Sequence, residues 1–206
     1  MREVINPAHH PELEKRKKEI EVALRSQFSG QDRTALAGHS VLQAYNNYYR
    51  PFKKTYHVQL QVESISWKGK SLPSVSALVD AMFMAEMKNM LLTAGHDLDT
   101  LRLPLTLDVS KGTERYTLMG GEQQVLKPGD MFISDQNGVI SSIIYGPDRR
   151  TQITSNTRSV VFTVYAPAGV GNQAVEQHLG DIRDYVTLIN AQAQVEWLAA
   201  YAGGQG

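Results

Sequence analysis

Hydrophobic positions along the chain change their period twice, and those changes divide it into three stretches. From Pro11 the run PELEKRKKEIEVALRSQF puts Leu13, Ile20, Leu24 and Phe28 on one helical face, and Gly30 supplies a stop. Lys15 to Lys18 in that run are offset by Glu12, Glu14, Glu19 and Glu21, the pattern of a solvated helical surface. A second helix is predicted over Asp32 to Tyr49. The segment His57 to Trp67 is ambiguous, because Val58, Leu60 and Val62 alternate as in a strand while Val58, Val62 and Ile65 fit a helix face. Trp67-Lys68-Gly69-Lys70 reads as a turn.

The run from Leu72 to Leu101 organises the rest. Pro73 and Ser74 open a helix, and at about 100° per residue Leu78, Val79, Met82, Phe83, Met87 and Met90 share one broad face. Gly95 is expected to stop this helix, with His96-Asp97-Leu98-Asp99 as a polar landing. Helical spacing puts Glu86 inside the apolar face. Either its carboxyl reaches solvent at the helix edge, or it is an acid lining a pocket.

Beyond Asp99 the period becomes two. LRLPLTLDV, RYTLM, QQVL, MFISD, VISSIIYG, RTQIT and SVVFTVYA are short β-branched runs separated by glycine, proline and asparagine turns, a meander of about seven strands. The helical period returns after Pro167, where Val175, Leu179, Ile182, Val186 and Ile189 make the inward stripe of a long final helix that the pattern extends to Tyr201. Ala202 to Gly206 is expected to fray. The class is therefore α+β: a β-sandwich-like meander packed with helices, an N-terminal helical segment over 1–50 resting on a main domain over 51–206, and a closing helix.

Charge alters this picture little. Twenty-one basic and twenty-one acidic residues balance across 206 residues, so no global field favours a nucleic acid or a membrane surface. The absence of cysteine removes disulfides, thiolate catalysis and cysteine-ligated zinc. With no signal-peptide or membrane-spanning run, a cytoplasmic location is the expectation.

Candidate chemistry is dispersed. No phosphate-cradling glycine loop, serine elbow or His-Glu-x-x-His pattern occurs, and neither a metal nor a cofactor is expected. His96 with Asp97 and Asp99 can be an acid–base or metal cluster, or ordinary turn chemistry; His9-His10 reads as a solvated pair. Tyr48-Tyr49-Arg50-Pro51-Phe52-Lys53-Lys54 can stack and neutralise RNA, or pack its rings inward and leave its cations outside. Gly120-Gly121 and Gly146 lie where bare backbone can approach a ligand, and Arg149-Arg150 precedes the hydroxyls of Thr151, Thr154 and Thr157.

The order of these pieces from Leu72 to about Pro167 resembles the tRNA-editing module of the phenylalanyl-tRNA synthetase beta subunit, and more closely the free-standing proteins built from it. The matching motifs are Leu72-Pro73, Leu78-Val79-Asp80, Asp97-Leu98-Asp99 (where the family has Phe-Asp-Leu-Asp), Gly112-Thr113-Glu114 and Thr117-Leu118-Met119-Gly120. They continue through Pro128-Gly129-Asp130, Ile133-Ser134-Asp135, Gly138-Val139, Tyr145-Gly146 and the threonines ending at Thr157. Phe83, Glu86, Ala94 and Gly146-Pro147 depart from the family's residues, and Asp148 comes into the family's register only with a one-residue shift. The resemblance implies a module that binds the tRNA acceptor end and hydrolyses mischarged aminoacyl-tRNA in trans. It implies catalysis around Asp97, Glu114 and Thr154, and substrate contacts at Phe83, Glu86, His96, Gly120, Gly121, Tyr145, Gly146 and Asp148. RNA contacts fall at Arg50, Arg149 and Arg150. A non-catalytic RNA-binding module and a pocket for a small amino-acid-like ligand are the alternatives. All three expect these residues to converge on one chamber.

Overall fold

A computed structural model describes residues 1–201; the fraying expected of Ala202 to Gly206 lies outside the described residues. Within them the chain is α+β, with six helices and eight strands in antiparallel sheets. Helix α1 spans Pro11–Gln27 and buries Leu13 and Leu24, with Phe28 just past its end, on the predicted face. Its charged face is less solvated than the pattern implies. Lys17 is buried, and its Nζ lies 2.5 Å from Asp80 Oδ2 and 2.9 Å from both Glu14 Oε1 and Ser74 Oγ.

The helix predicted over Asp32 to Tyr49 is two helices, α2 (Arg33–Ala37) and α3 (Ser40–Tyr49), divided at Gly38-His39. Asp32 caps α2 by accepting from Ala35 N at 2.8 Å. The ambiguous segment is a helix, α4 (His57–Lys68), with Val58, Val62 and Ile65 buried and Leu60 exposed. The rings at the end of α3 and just beyond it pack inward: Tyr49 and Phe52 are buried, and Tyr45 stacks on Tyr56 at 4.1 Å between centroids. Each buried phenol finds a backbone acceptor, Tyr49 on Ile143 O at 2.8 Å and Tyr56 on Met90 O at 3.0 Å.

Helix α5 spans Ala77–Asn89, later and shorter than the sequence suggests. Distant groups satisfy its first amides: Ala77 N donates to Pro7 O and Leu78 N to Asn6 Oδ1, both at 2.9 Å. It ends at Met90, whose φ of 59° is left-handed, and not at Gly95. Gly95 instead lies within strand β1 (Leu92–Asp97), where a Cβ would stand 2.8 Å from Ile153 Cδ1. The expected polar landing is therefore in part buried strand, at His96 and Asp97, and in part a short 3-10 turn over Leu98–Thr100 with Asp99 exposed.

Strand β1 pairs antiparallel with β8 (Val160–Tyr165), running from Leu92↔Tyr165 to Asp97↔Val160. A four-stranded sheet joins β2 (Thr106–Val109), β5 (Met131–Asp135), β6 (Gly138–Ser142) and β7 (Gly146–Pro147) in that order, and β3 (Arg115–Thr117) with β4 (Gln123–Val125) forms a hairpin. The strand expected at RTQIT is absent; Arg150 to Thr154 is irregular. Helix α6 ends at Ile189, short of Tyr201 (Asn172–Ile189). One core lies among α3, α4 and the sheets, and a second joins α1, α5 and α6 around Leu78, Met84 and Ile182. No helix among the described residues is long and apolar enough to cross a membrane.

Candidate functional site

Two segments distant in sequence meet the stretch from Gly146 to Thr157. The end of β1 joins it where Asp97 N donates to Thr151 O at 2.8 Å and Thr157 Oγ1 donates to Asp97 Oδ2 at 2.7 Å. The β3–β4 hairpin joins it through a bridge between Leu118 and Asp148, with Arg149 N donating to Thr117 O at 3.0 Å. Tyr116 of β3 donates its hydroxyl to Gly146 O at 2.7 Å. Apart from the Tyr116 hydroxyl, each junction is made by main chain or a short side chain, so the positions are fixed by register.

Inside the junction runs a buried polar series. His96 Nδ1 lies 2.7 Å from Thr151 Oγ1, and Thr151 donates both its hydroxyl and its amide to Asp148 Oδ1. Arg150 Nε stands 3.7 Å from Asp148 Oδ2, and its other nitrogens grip Asp135 at 2.8 and 2.9 Å. Burial pushes the Asp148 carboxyl up despite Thr151 and Arg150. Burial, reinforced by the Arg150 charge, lowers His96 to about 4, so its imidazole is neutral at physiological pH. His96 Nε2 is buried and has no hydrogen-bond partner.

Above this series lies the Gly120-Gly121 turn. Gly121 has a φ of +97°, and a Cβ there would sit 3.4 Å from Arg149 Nη1, so the turn needs glycine and lies against an exposed guanidinium. Tyr145 is half-buried nearby in sequence, with Lys54 Nζ 4.3 Å from its ring centroid. Thr154 acts through its backbone: its amide donates to Thr157 Oγ1 at 2.9 Å and its carbonyl accepts from Asn6 Nδ2, also at 2.9 Å.

The structure thus gathers His96, Asp97, Gly120, Gly121, Gly146, Asp148, Arg149, Arg150 and Thr154. It places the others elsewhere. Glu114 closes its own loop, accepting from Ser110 Oγ at 2.6 Å and from the amides of Lys111, Gly112 and Thr113 at 3.0 to 3.2 Å. Those donors hold its carboxyl at about 2. Arg50, at the end of α3, donates to Asn47. Phe83 is half-buried on α5, and Glu86 of the same helix is buried, accepting from Thr93 N at 2.8 Å. It does not reach solvent at the helix edge. Thr93 and Asp97 are four residues apart on β1, about 13 Å at strand rise, so Glu86 belongs to a second polar cluster.

That second cluster eluded the sequence reading. Thr93 Oγ1 lies 2.6 Å from His178 Nε2, and Asn89 and Lys88 reach Asp181 at 2.8 and 2.7 Å. His178 stands within the apolar stripe of α6, three residues from Val175 and four from Ile182, a spacing that would have flagged it. The sequence points to the Thr151 hydroxyl beside Arg149-Arg150 and holds Asp130 and Asp135 in its ordered motifs, but does not disclose the hydrogen bonds that each side chain makes here. Asp130 is fully buried, takes the Tyr48 hydroxyl on Oδ1 at 3.1 Å, and leaves Oδ2 without a partner. Among the described residues no group of three or more His, Asp or Glu side chains is placed to hold a metal ion. Two surface grooves, of about 320 and 480 Å³, lie along α6, and no residue of the candidate site lines either.

A family model described as the B3/4 domain matches residues 44–183, which include α4, α5, all eight strands and the whole junction. The chain belongs to the B3/4 domain family. This domain is found in the phenylalanyl-tRNA synthetase beta subunit, as the ordered motifs imply. A search of curated proteins returned no match. Among solved structures, an N-terminal fragment of the phenylalanyl-tRNA synthetase beta subunit from Pyrococcus horikoshii is similar at 15% identity and a TM-score of 0.47. The similarity covers 57% of this chain and 41% of that fragment, less than half its length. The B3/4 match leaves α1, α2, the start of α3 and the last six residues of α6 outside it.

Proposed function

We propose that this B3/4 protein binds the acceptor end of tRNA and hydrolyses a mischarged aminoacyl ester in trans. The observation that carries the reading is the meeting of β1, the β3–β4 hairpin and the Gly146–Thr157 stretch at one junction. An aminoacyl ester is intrinsically labile, so the protein need only orient the ester and a water and stabilise the oxyanion. The turn at Gly120-Gly121 carries no side chain of its own, and the terminal adenosine approaches it beside Arg149 once the Glu122 carboxylate, which lies over Gly120, swings aside. Arg149, exposed beside it, supplies the charge that meets a phosphate. Asp97, Thr154 and Thr157 tie the end of β1 to that floor and keep it rigid.

Binding without cleavage is the second reading, favoured by one observation. The carboxylates of Asp97 and Glu114 are spent on intramolecular donors, and Asp148 likewise accepts from Thr151. One experiment separates the two. The protein is incubated with a panel of mischarged tRNAs while ester loss and tRNA binding are followed together. Ester loss above the uncatalysed rate supports hydrolysis. Binding without ester loss selects the second reading, and neither signal removes both.

A further inference from the structure

Protons in the His96–Thr151–Asp148 series can be assigned from the contacts. Asp148 Oδ1 accepts the Thr151 amide at 3.0 Å and also the Thr151 hydroxyl, so that oxygen carries no proton of its own. Thr151 has a single hydroxyl hydrogen, and it is used on Asp148. Thr151 Oγ1 must therefore accept from His96 at 2.7 Å, which places the imidazole proton on Nδ1. Nε2 is then a bare lone pair, 0% of the residue is exposed, and no donor among the described residues meets it. Buried acceptors in native proteins are satisfied roughly nine times in ten, so this atom invites a donor from outside the fold.

We propose that His96 Nε2 is the general base that takes a proton from the water attacking the aminoacyl ester, with Thr151 and Asp148 as positioning residues. This rests on the hydrolase reading above. The water oxygen bonds to the ester carbonyl carbon as its O–H bond breaks, and that proton goes to Nε2. The tetrahedral intermediate then expels the ribose oxygen, which takes the proton back from Nε2. Ester and water become free amino acid and a ribose hydroxyl, with the imidazole neutral again. The imidazolium formed in between is faced by Asp135 and Asp148, which favour it, and by Arg150, which opposes it. His96 is 0% exposed and Thr151 meets its Nδ1 edge, so substrate reaches Nε2 when the packing on the opposite edge of the ring opens while the Thr151 contact holds.

The test is deacylation kinetics on mischarged tRNA together with nitrogen-15 NMR of the histidines. His96→Phe should keep tRNA binding and KM while kcat falls at least about 100-fold. Thr151→Val should lower kcat about tenfold and release the fixed tautomer, and Thr151→Ser should restore both. A wild-type kcat in His96→Phe overturns the base and leaves the hydrolase standing. A wild-type protein inert toward every mischarged tRNA overturns both. Should His96→Phe fail to fold, the wild-type spectrum decides: a proton on Nδ1 supports the assignment, and a proton on Nε2 overturns it.

Discussion

Replacing Glu86 by glutamine isolates the behaviour of the fully buried carboxyl on α5. Burial raises this group from its ordinary 4.5 to about 8, and the amide of Thr93 offsets only part of that. A carboxyl whose folded pKa exceeds its unfolded value holds its proton more tightly when folded. The stability it contributes is complete below about pH 4.5 and is lost as pH rises through 8. Between pH 5 and pH 9 the linkage amounts to roughly 3 pKa units, or about 4 kcal/mol at 1.36 kcal/mol per unit. Glutamine keeps an acceptor for Thr93 N and removes the titration. His178 beside it is lowered to about 4 by burial, so its contribution is lost in the opposite direction, as pH falls below about 6.5. The difference between the variant and the wild type cancels His178 and leaves Glu86 alone. Urea unfolding followed by circular dichroism at pH 5, 7 and 9 should show Glu86→Gln gaining about 4 kcal/mol on the wild type across that range. Parallel pH profiles, within about 1 kcal/mol, would refute the claim that Glu86 is protonated at neutral pH.

Lys17→Met strands the Asp80 carboxylate, whose side chain is 1% exposed, and should cost about 3–5 kcal/mol in the same unfolding experiment. A cost under about 1 kcal/mol would mean that Asp80 does not depend on the pair. Arg149→Ala should weaken tRNA binding and lower the slope of log affinity against log salt by about 1, measured by filter binding. Arg150→Ala should instead lower the melting temperature, because its guanidinium is engaged by Asp135 and its loss leaves that buried carboxylate short of donors.

What the sequence disclosed follows the physics of each element. α1 and α6 bury one stripe against water, so Leu13, Leu24, Ile182 and Val186 stand out at helical spacing. β1 was invisible because both of its faces are covered. Leu92, Thr93, Ala94, His96 and Asp97 are all buried, which erases the alternation that reveals a strand. Gly95 read as a helix stop because glycine has two uses, and here the use is room for Ile153. RTQIT carried a β-like composition, yet its hydroxyls and backbone serve Asp97, Asp148 and Thr157 instead of a ladder. Most residues named from the ordered motifs meet at the junction, since those motifs sit at turns where local chemistry dictates the residue. Glu114 lies apart, its carboxylate closing a turn, and the motifs could not separate Glu86 from Asp97, because distance along a strand is hidden when the strand is taken for the end of a helix.

Ester loss from mischarged tRNA tests the central claim most directly. The account predicts that the wild-type protein releases the amino acid from at least one mischarged tRNA faster than buffer alone, with His96→Phe at least about 100-fold slower at saturation. Release at the buffer rate across the whole panel would contradict it.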